Sequence, residues 1–203
     1  MSDAPDIIVG LGNPGPEHER DRHNVGYWLV EDIAAGTPFR KEQKLLGEAC
    51  QTSLQGRGVR LLKPTTYMNR SGESVRRAMD YYKLDAARIL VVHDDIDLPP
   101  GTARFKRGGG HGGNNGVRDV ISHCGPDFVR LRIGIGHPGR KDQVVNYVLK
   151  PPAAADRTQI LDALREARRA VDVLYRDGLQ QAMTFLHTAT PGQDPTADLG
   201  PAG

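Results

Sequence analysis

His23 and Asp94 are the side chains in this sequence best suited to move a proton. Histidine titrates nearest neutral pH and serves as a general base when a carboxylate holds it. His23 lies in Arg22-His23-Asn24, shortly after the turn Gly10-Leu-Gly-Asn-Pro-Gly15, and Asp94 lies in His93-Asp94-Asp95, directly after the apolar run Ile89–Val92. No serine nucleophile accompanies them, because the Gly-x-Ser-x-Gly elbow is absent. Cys50 and Cys124 have no recognisable base beside them and match neither a metal spacing nor a disulfide framework. A histidine–aspartate pair without serine or cysteine points to water as the nucleophile. The oxyanion formed by such an attack needs hydrogen-bond donors, and Asn13, Asn69, Asn114 and Asn115 carry side-chain amides. Asparagines after strands and before helices also serve as turn and cap residues, and for Asn114 that reading stands beside the chemical one.

A rival arrangement would bind a divalent cation through His93, Asp94, Asp95 and Asp97, with His111 as a further ligand. Neither His-Glu-x-x-His nor an EF-hand pattern appears. Asp97 runs into Leu98-Pro99-Pro100-Gly101, where it also suits the start of a turn. The expectation is therefore no metal and no cofactor.

Six of the eleven residues from Lys106 to Gly116 are glycine. Each costs conformational entropy on folding, so the run implies a ligand close to the main chain or an unusual turn. A phosphate-cradling loop would end in Gly-Lys-Ser/Thr, whereas this one ends in Gly-Gly-Asn-Asn-Gly. The plain alternative is a flexible linker. Around it the charge is uneven. The chain carries a net +2, but Ala103–Lys141 holds eight basic residues (Arg104, Lys106, Arg107, Arg118, Arg130, Arg132, Arg140, Lys141) against Asp119 and Asp127, or +6. Such an excess suits a polyanion, nucleic acid above all, or else a solvated basic face. Arg130 and Arg132 alternate with Val129, Leu131, Ile133 and Ile135, so both arginines belong to the face opposite the apolar set. There they either meet phosphates or pair with an acid such as Asp95 or Asp97.

The elements that must position these groups alternate along the chain. Ile7–Val9, Val59–Leu62, Ile89–Val92 and Val129–Ile135 read as strands. Val25, Trp28, Leu29 and Ile33 recur at helical spacing, as do Val75, Ala78, Met79 and Tyr82, with Ser71 as the expected N-cap. A helix is expected over about Asn115–His123, and Ile160, Leu164, Ala167, Val171 and Leu174 mark a long amphipathic helix that stops at Gly178. This order predicts an α/β domain with a largely parallel central sheet and helices on both faces. In such sheets ligands bind beyond the carboxyl ends of the strands, where three separate strands deliver Asn13, Thr65–Asn69 and His93–Asp95. That convergence favours an enzyme over a non-catalytic RNA-binding module. With 203 residues, 38% hydrophobic and 26% charged, the chain has the composition of one globular domain. It is expected to span residues 1–187, with a disordered tail over 188–203. The first residues lack the pattern of a signal peptide, no apolar run approaches a membrane span, and a cytoplasmic location is expected.

Five segments carry a resemblance: GLGNPGPEHERDRHNVG (10–26), KPTTYMNRSG (63–72), VVHDDIDLPPG (91–101), FKRGGGHGGNNG (105–116) and RLRIGIGHPG (130–139). In content and order they resemble bacterial peptidyl-tRNA hydrolases, over roughly residues 6–187. The resemblance implies a monomeric α/β fold with a twisted mixed sheet and a metal-independent activity. That activity cleaves the ester between a nascent peptide and the tRNA ribose, which recycles tRNA from aborted translation. It implies His23 as the base and Asp94 as its holder. Asn13 would sit near the scissile bond, where its amide would recognise an N-acyl group by paired hydrogen bonds and so separate blocked from free aminoacyl-tRNA. Tyr67, Asn69 and Asn115 would contact substrate, with Asn115 rather than Asn114 the matching residue of the pair. Lys106, Arg107, Arg130 and Arg132 would hold tRNA phosphates. Two positions depart from the family pattern: His18 stands where tyrosine is usual and Asp21 where threonine is, which leaves His18 as a tRNA contact of altered chemistry.

Overall fold

The computed structural model describes residues 3–188. Residues 189–203, nearly all of the tail expected to be disordered, lie outside the described residues. In chain order the elements are β1 (Ile7–Gly10), α1 (Val25–Ala34), β2 (Arg40–Glu42), β3 (Gly47–Leu54), β4 (Arg57–Pro64), α2 (Ser71–Tyr82), β5 (Ile89–Asp95), β6 (Ala103–Arg107), α3 (Asn115–Cys124), β7 (Val129–Gly134), α4 (Val144–Val148), α5 (Ala154–Asp177) and α6 (Leu179–Thr188).

One seven-stranded sheet runs β2-β3-β4-β1-β5-β7-β6. The central strands β4, β1, β5 and β7 are mutually parallel. β2 and β3 extend one edge as an antiparallel meander onto β4, and β6 closes the other edge antiparallel to β7. The inner strands β1 and β5 carry the continuous apolar runs that burial on both faces requires, while β7 alternates apolar residues with Arg130 and Arg132. Ile8, Leu61, Leu90, Val92, Leu131 and Ile133 form one core with α1, α5 and α6. Ile7, Val9, Leu62, Ile89 and Val91 form the second with α2 and α3. The sheet is mixed, mostly parallel at its centre, and flanked by helices on both faces.

α1 lies unusually close to the sheet. A Cβ on Gly26 would come within 2.5 Å of the Val92 carbonyl oxygen and 2.6 Å of the Leu11 amide nitrogen. Only a bare backbone fits there, and the contact sets the height of the turn carrying His23 above β1 and β5. α2 differs from expectation at its start. Arg70 occupies the N-cap and Ser71 is the first helical residue, its hydroxyl donating to the Met68 carbonyl at 2.7 Å within the preceding 3₁₀ turn. At α3 the Asn114 side chain accepts from Val117 N–H at 3.0 Å, as an N-cap should. The long helix α5 stops at Gly178 as its pattern predicts.

Candidate active site

At the carboxyl ends of β1, β4 and β5 the chain forms a cleft of about 460 Å³. Its base is built by His23, carried on the 3₁₀ turn Arg22–Asn24, and Asp94, near the end of β5. The His23 Nδ1 lies 2.9 and 2.8 Å from the two Asp94 carboxylate oxygens. A carboxylate can only accept, so Nδ1 carries the proton and Nε2 of the neutral ring is left as the basic nitrogen. Burial disfavours a charged His23, but the Asp94 charge and hydrogen bond, reinforced by the Asp21 charge, outweigh it and raise the imidazole pKa above its ordinary value.

Asp94 is itself held. The Asn114 side chain donates to Asp94 Oδ1 at 3.0 Å and to the Asp94 carbonyl at 3.1 Å. Asn114 therefore caps α3 with its oxygen and orients the carboxylate with its nitrogen. The sequence signals the first role through cap preference; the second depends on a tertiary contact with no local signature.

Asn13 is fixed with equal care. Its Oδ1 accepts from Met68 N–H at 2.7 Å. Its backbone is clamped by Asn24, whose Oδ1 accepts from Asn13 N–H at 2.9 Å and whose Nδ2 donates to the Asn13 carbonyl at 2.9 Å. The Met68 bond settles which way the Asn13 amide points. One lone pair of its oxygen is held by the backbone, and its NH₂ remains as a donor in a residue that lines the cleft. The expected pairing with an N-acyl group would use this NH₂ together with the second lone pair of Oδ1.

Tyr67, Asn69 and Asn115 also line the cleft. Tyr67 is 62% exposed at its mouth. The glycine loop brings His111, Gly112 and Gly113 to one side, and α4 brings Val144, Val145 and Val148 to another, with Leu149 following. Gly108, Gly109, Gly112 and Gly113 all have φ between 57° and 90°, a left-handed conformation that side chains with a Cβ resist. The loop is therefore ordered by unusual backbone geometry, and the linker alternative is set aside. The α4 wall was not anticipated, because five residues are too few to show helical periodicity.

The other expected residues fall elsewhere. His18 does not line the cleft; its Nδ1 bonds Asp21 Oδ2 at 2.7 Å, so the two positions that depart from the family pattern contact each other. Lys106 and Arg107 are exposed at the end of the edge strand β6. Arg132 pairs through Nε with Asp95 Oδ2 at 2.7 Å, with 24% of its side chain exposed. Arg130 is buried, its Nη2 2.6 Å from the Gly109 carbonyl and its Nη1 bonded to the Gly110 carbonyl. The two arginines share the face predicted for them, but much of their hydrogen bonding is turned inward to the protein.

His93 faces the cleft as a fully buried neutral ring. Burial lowers its pKa, and its Nδ1 must donate to the Asp94 carbonyl at 2.8 Å. Among the described residues no group of three or more His, Cys, Asp or Glu side chains is placed to hold a metal ion.

A mostly parallel sheet that gathers a His–Asp pair and side-chain amides at its strand ends has the layout of an α/β enzyme. A profile of the family described as Peptidyl-tRNA hydrolase matches residues 7–194, and the chain belongs to that family. Over 186 residues it is 48% identical to the peptidyl-tRNA hydrolase of Escherichia fergusonii and 47% identical to that of Salmonella typhimurium, in each case covering 90% of this chain and 96% of the relative. Its structure is similar to a crystal structure of a peptidyl-tRNA hydrolase in complex with N-propanol, with TM-score 0.90, 41% identity, and 94% and 98% of the two chains covered. It is also similar to the peptidyl-tRNA hydrolase of Acinetobacter baumannii, with TM-score 0.88, 44% identity, and 92% and 95% covered.

Proposed function

We propose that the chain hydrolyses peptidyl-tRNA by activating water with His23. The observation that carries the mechanism is the His23–Asp94 contact, which leaves a basic Nε2 in a cleft lined by the Asn13 amide donor. His23 Nε2 removes a proton from water as the oxygen attacks the ester carbonyl, and Asp94 stabilises the imidazolium that forms. The oxyanion accepts from Asn13 Nδ2, with Asn69 and Asn115 as further donors from the cleft walls. Collapse breaks the bond to the ribose oxygen, which takes the water-derived proton from His23, and the peptide carboxylic acid ionises to solvent as it and the free tRNA 3′ end leave.

The apolar α4 wall and Tyr67 suit peptide side chains and the terminal base. Lys106 and Arg107, exposed on β6, suit tRNA phosphates. Arg132 remains a phosphate candidate, because its pairing with Asp95 uses Nε and none of its terminal nitrogens hydrogen-bonds another described residue. His18 stands outside the cleft and would meet tRNA along its flank. Under this proposal the enzyme acts as a monomer, in the cytoplasm where peptidyl-tRNA is produced. No described helix is long and apolar enough to cross a membrane.

The test compares N-acetylaminoacyl-tRNA with unblocked aminoacyl-tRNA. The expected result is rapid release from the blocked substrate and much slower release from the free one. Equal rates on both, or RNA binding without ester cleavage, would contradict the proposal.

A further inference from the structure

We propose that Arg22 and Arg130 are positioning residues, each a buried guanidinium that fixes one of the two cleft walls lacking support from a strand or a long helix. The inference rests on the reading of this cleft as the substrate site.

The first such wall is α4, barely more than one turn and too short to be stable by itself. Arg22 is 7% exposed. Its Nη1 donates to the carbonyls of Tyr147 at 3.0 Å and Lys150 at 3.3 Å, and its backbone N–H donates to Lys150 as well, at 3.1 Å. Its guanidinium lies 3.8 Å from the centre of the Tyr147 ring, and the Tyr147 hydroxyl is anchored on the Ile135 carbonyl at 2.6 Å. Arg22 immediately precedes His23 on the same 3₁₀ turn. The wall that presents Val144, Val145 and Val148 is thereby tied to the base by one side chain.

The second wall is the glycine loop, whose sequence gives it the greatest conformational entropy to lose. Arg130 is 3% exposed, bonds the successive carbonyls of Gly109 and Gly110, and lies 4.9 Å over the Phe128 ring. Both arginines hold two main-chain carbonyls and are backed by an aromatic face, Arg130 through two terminal nitrogens and Arg22 through Nη1 alone. At Arg130 a lysine offers one nitrogen for two diverging bonds, and at Arg22 it loses the flat guanidinium that stacks on the Tyr147 ring.

The inference separates from a phosphate role by experiment. Arg22→Lys and Arg130→Lys keep the charge and lose the planar guanidinium. Kinetics on N-acetylaminoacyl-tRNA and on an N-acetylaminoacyl adenosine ester lacking the tRNA body should show KM rising by about tenfold or more on both substrates, the scale of a misplaced binding wall. The salt dependence of tRNA binding should stay as in the parent. Amide exchange should quicken over 144–150 in the first variant and 109–113 in the second. A parent-like KM on the adenosine ester, with either a flattened salt slope or only a lowered melting temperature, would overturn the inference. His23→Ala is run alongside. Should it cleave the adenosine ester as fast as the parent, the cleft reading itself fails, whatever the arginine variants do.

Discussion

At the scale of single residues, the proposed mechanism depends on which nitrogen of His23 is free and on the donor that Asn13 presents. Replacing His23 by alanine should lower cleavage by roughly 100-fold or more, the usual scale for losing a general base. The pH dependence has a definite sign. His23 acts when neutral, and Asp94 raises its pKa against the opposing effect of burial. The acidic limb of the rate profile should therefore lie above that of an ordinary imidazole and move to lower pH in Asp94→Asn. A limb at the parent's position in that variant would exclude the pairing. For Asn13 the informative change is to aspartate, which keeps an acceptor for Met68 N–H but carries no donor. A kcat loss of about 10²–10³ with little change in melting temperature is expected, as for removal of an oxyanion-hole donor, whereas alanine would also free the Met68 amide. These three residues were legible from type and neighbourhood alone. Asn114 and Asn24 were not legible in their full roles, because each acts through a bond to a residue distant in sequence.

At the scale of elements, the site depends on how closely α1 approaches the sheet and how α3 begins. Gly26→Ala places a methyl carbon against the Val92 carbonyl and the Leu11 amide. It should destabilise the fold by about 1–3 kcal/mol, the usual cost of overpacking, and separate His23 from Asp94. Thermal melting and kcat should fall together, and a variant with both intact would show that the contact does not set the site. Asn114→Ala should cost about 1 kcal/mol as a lost cap, with a further loss in kcat because Asp94 loses its orienting donor. β1 and β5 were readable because burial on both faces demands continuous apolar runs, and β7 because its apolar residues alternate with arginines. β2 and β3 were hidden, since this edge meander is mostly half-exposed and has no such run. β6 was hidden because its basic residues read first as a charge patch and only Ala103 and Phe105 are buried in it.

For the whole molecule, the proposed function places chemistry and RNA affinity on different surfaces. The cleft lies at the strand ends, and exposed cations stand on β6 beside it. Lys106→Ala and Arg107→Ala should weaken tRNA binding across sequences and flatten its log–log salt slope by roughly one unit per lost phosphate contact, leaving cleavage of a tRNA-free ester unchanged. Charge counting along the chain located this region but treated all its arginines alike. Burial divides them, since Arg130 faces loop carbonyls and Arg132 is paired with Asp95. The central claim is that one His–Asp pair activates water without a metal, and the most direct test is release of N-acetylamino acid from N-acetylaminoacyl-tRNA in excess chelator, by the parent and by His23→Ala. The account predicts full activity of the parent in chelator and a loss of roughly 100-fold or more in the variant, with tRNA affinity unchanged. Near-normal turnover by His23→Ala, or activity that vanishes in chelator and returns with added metal, would contradict it.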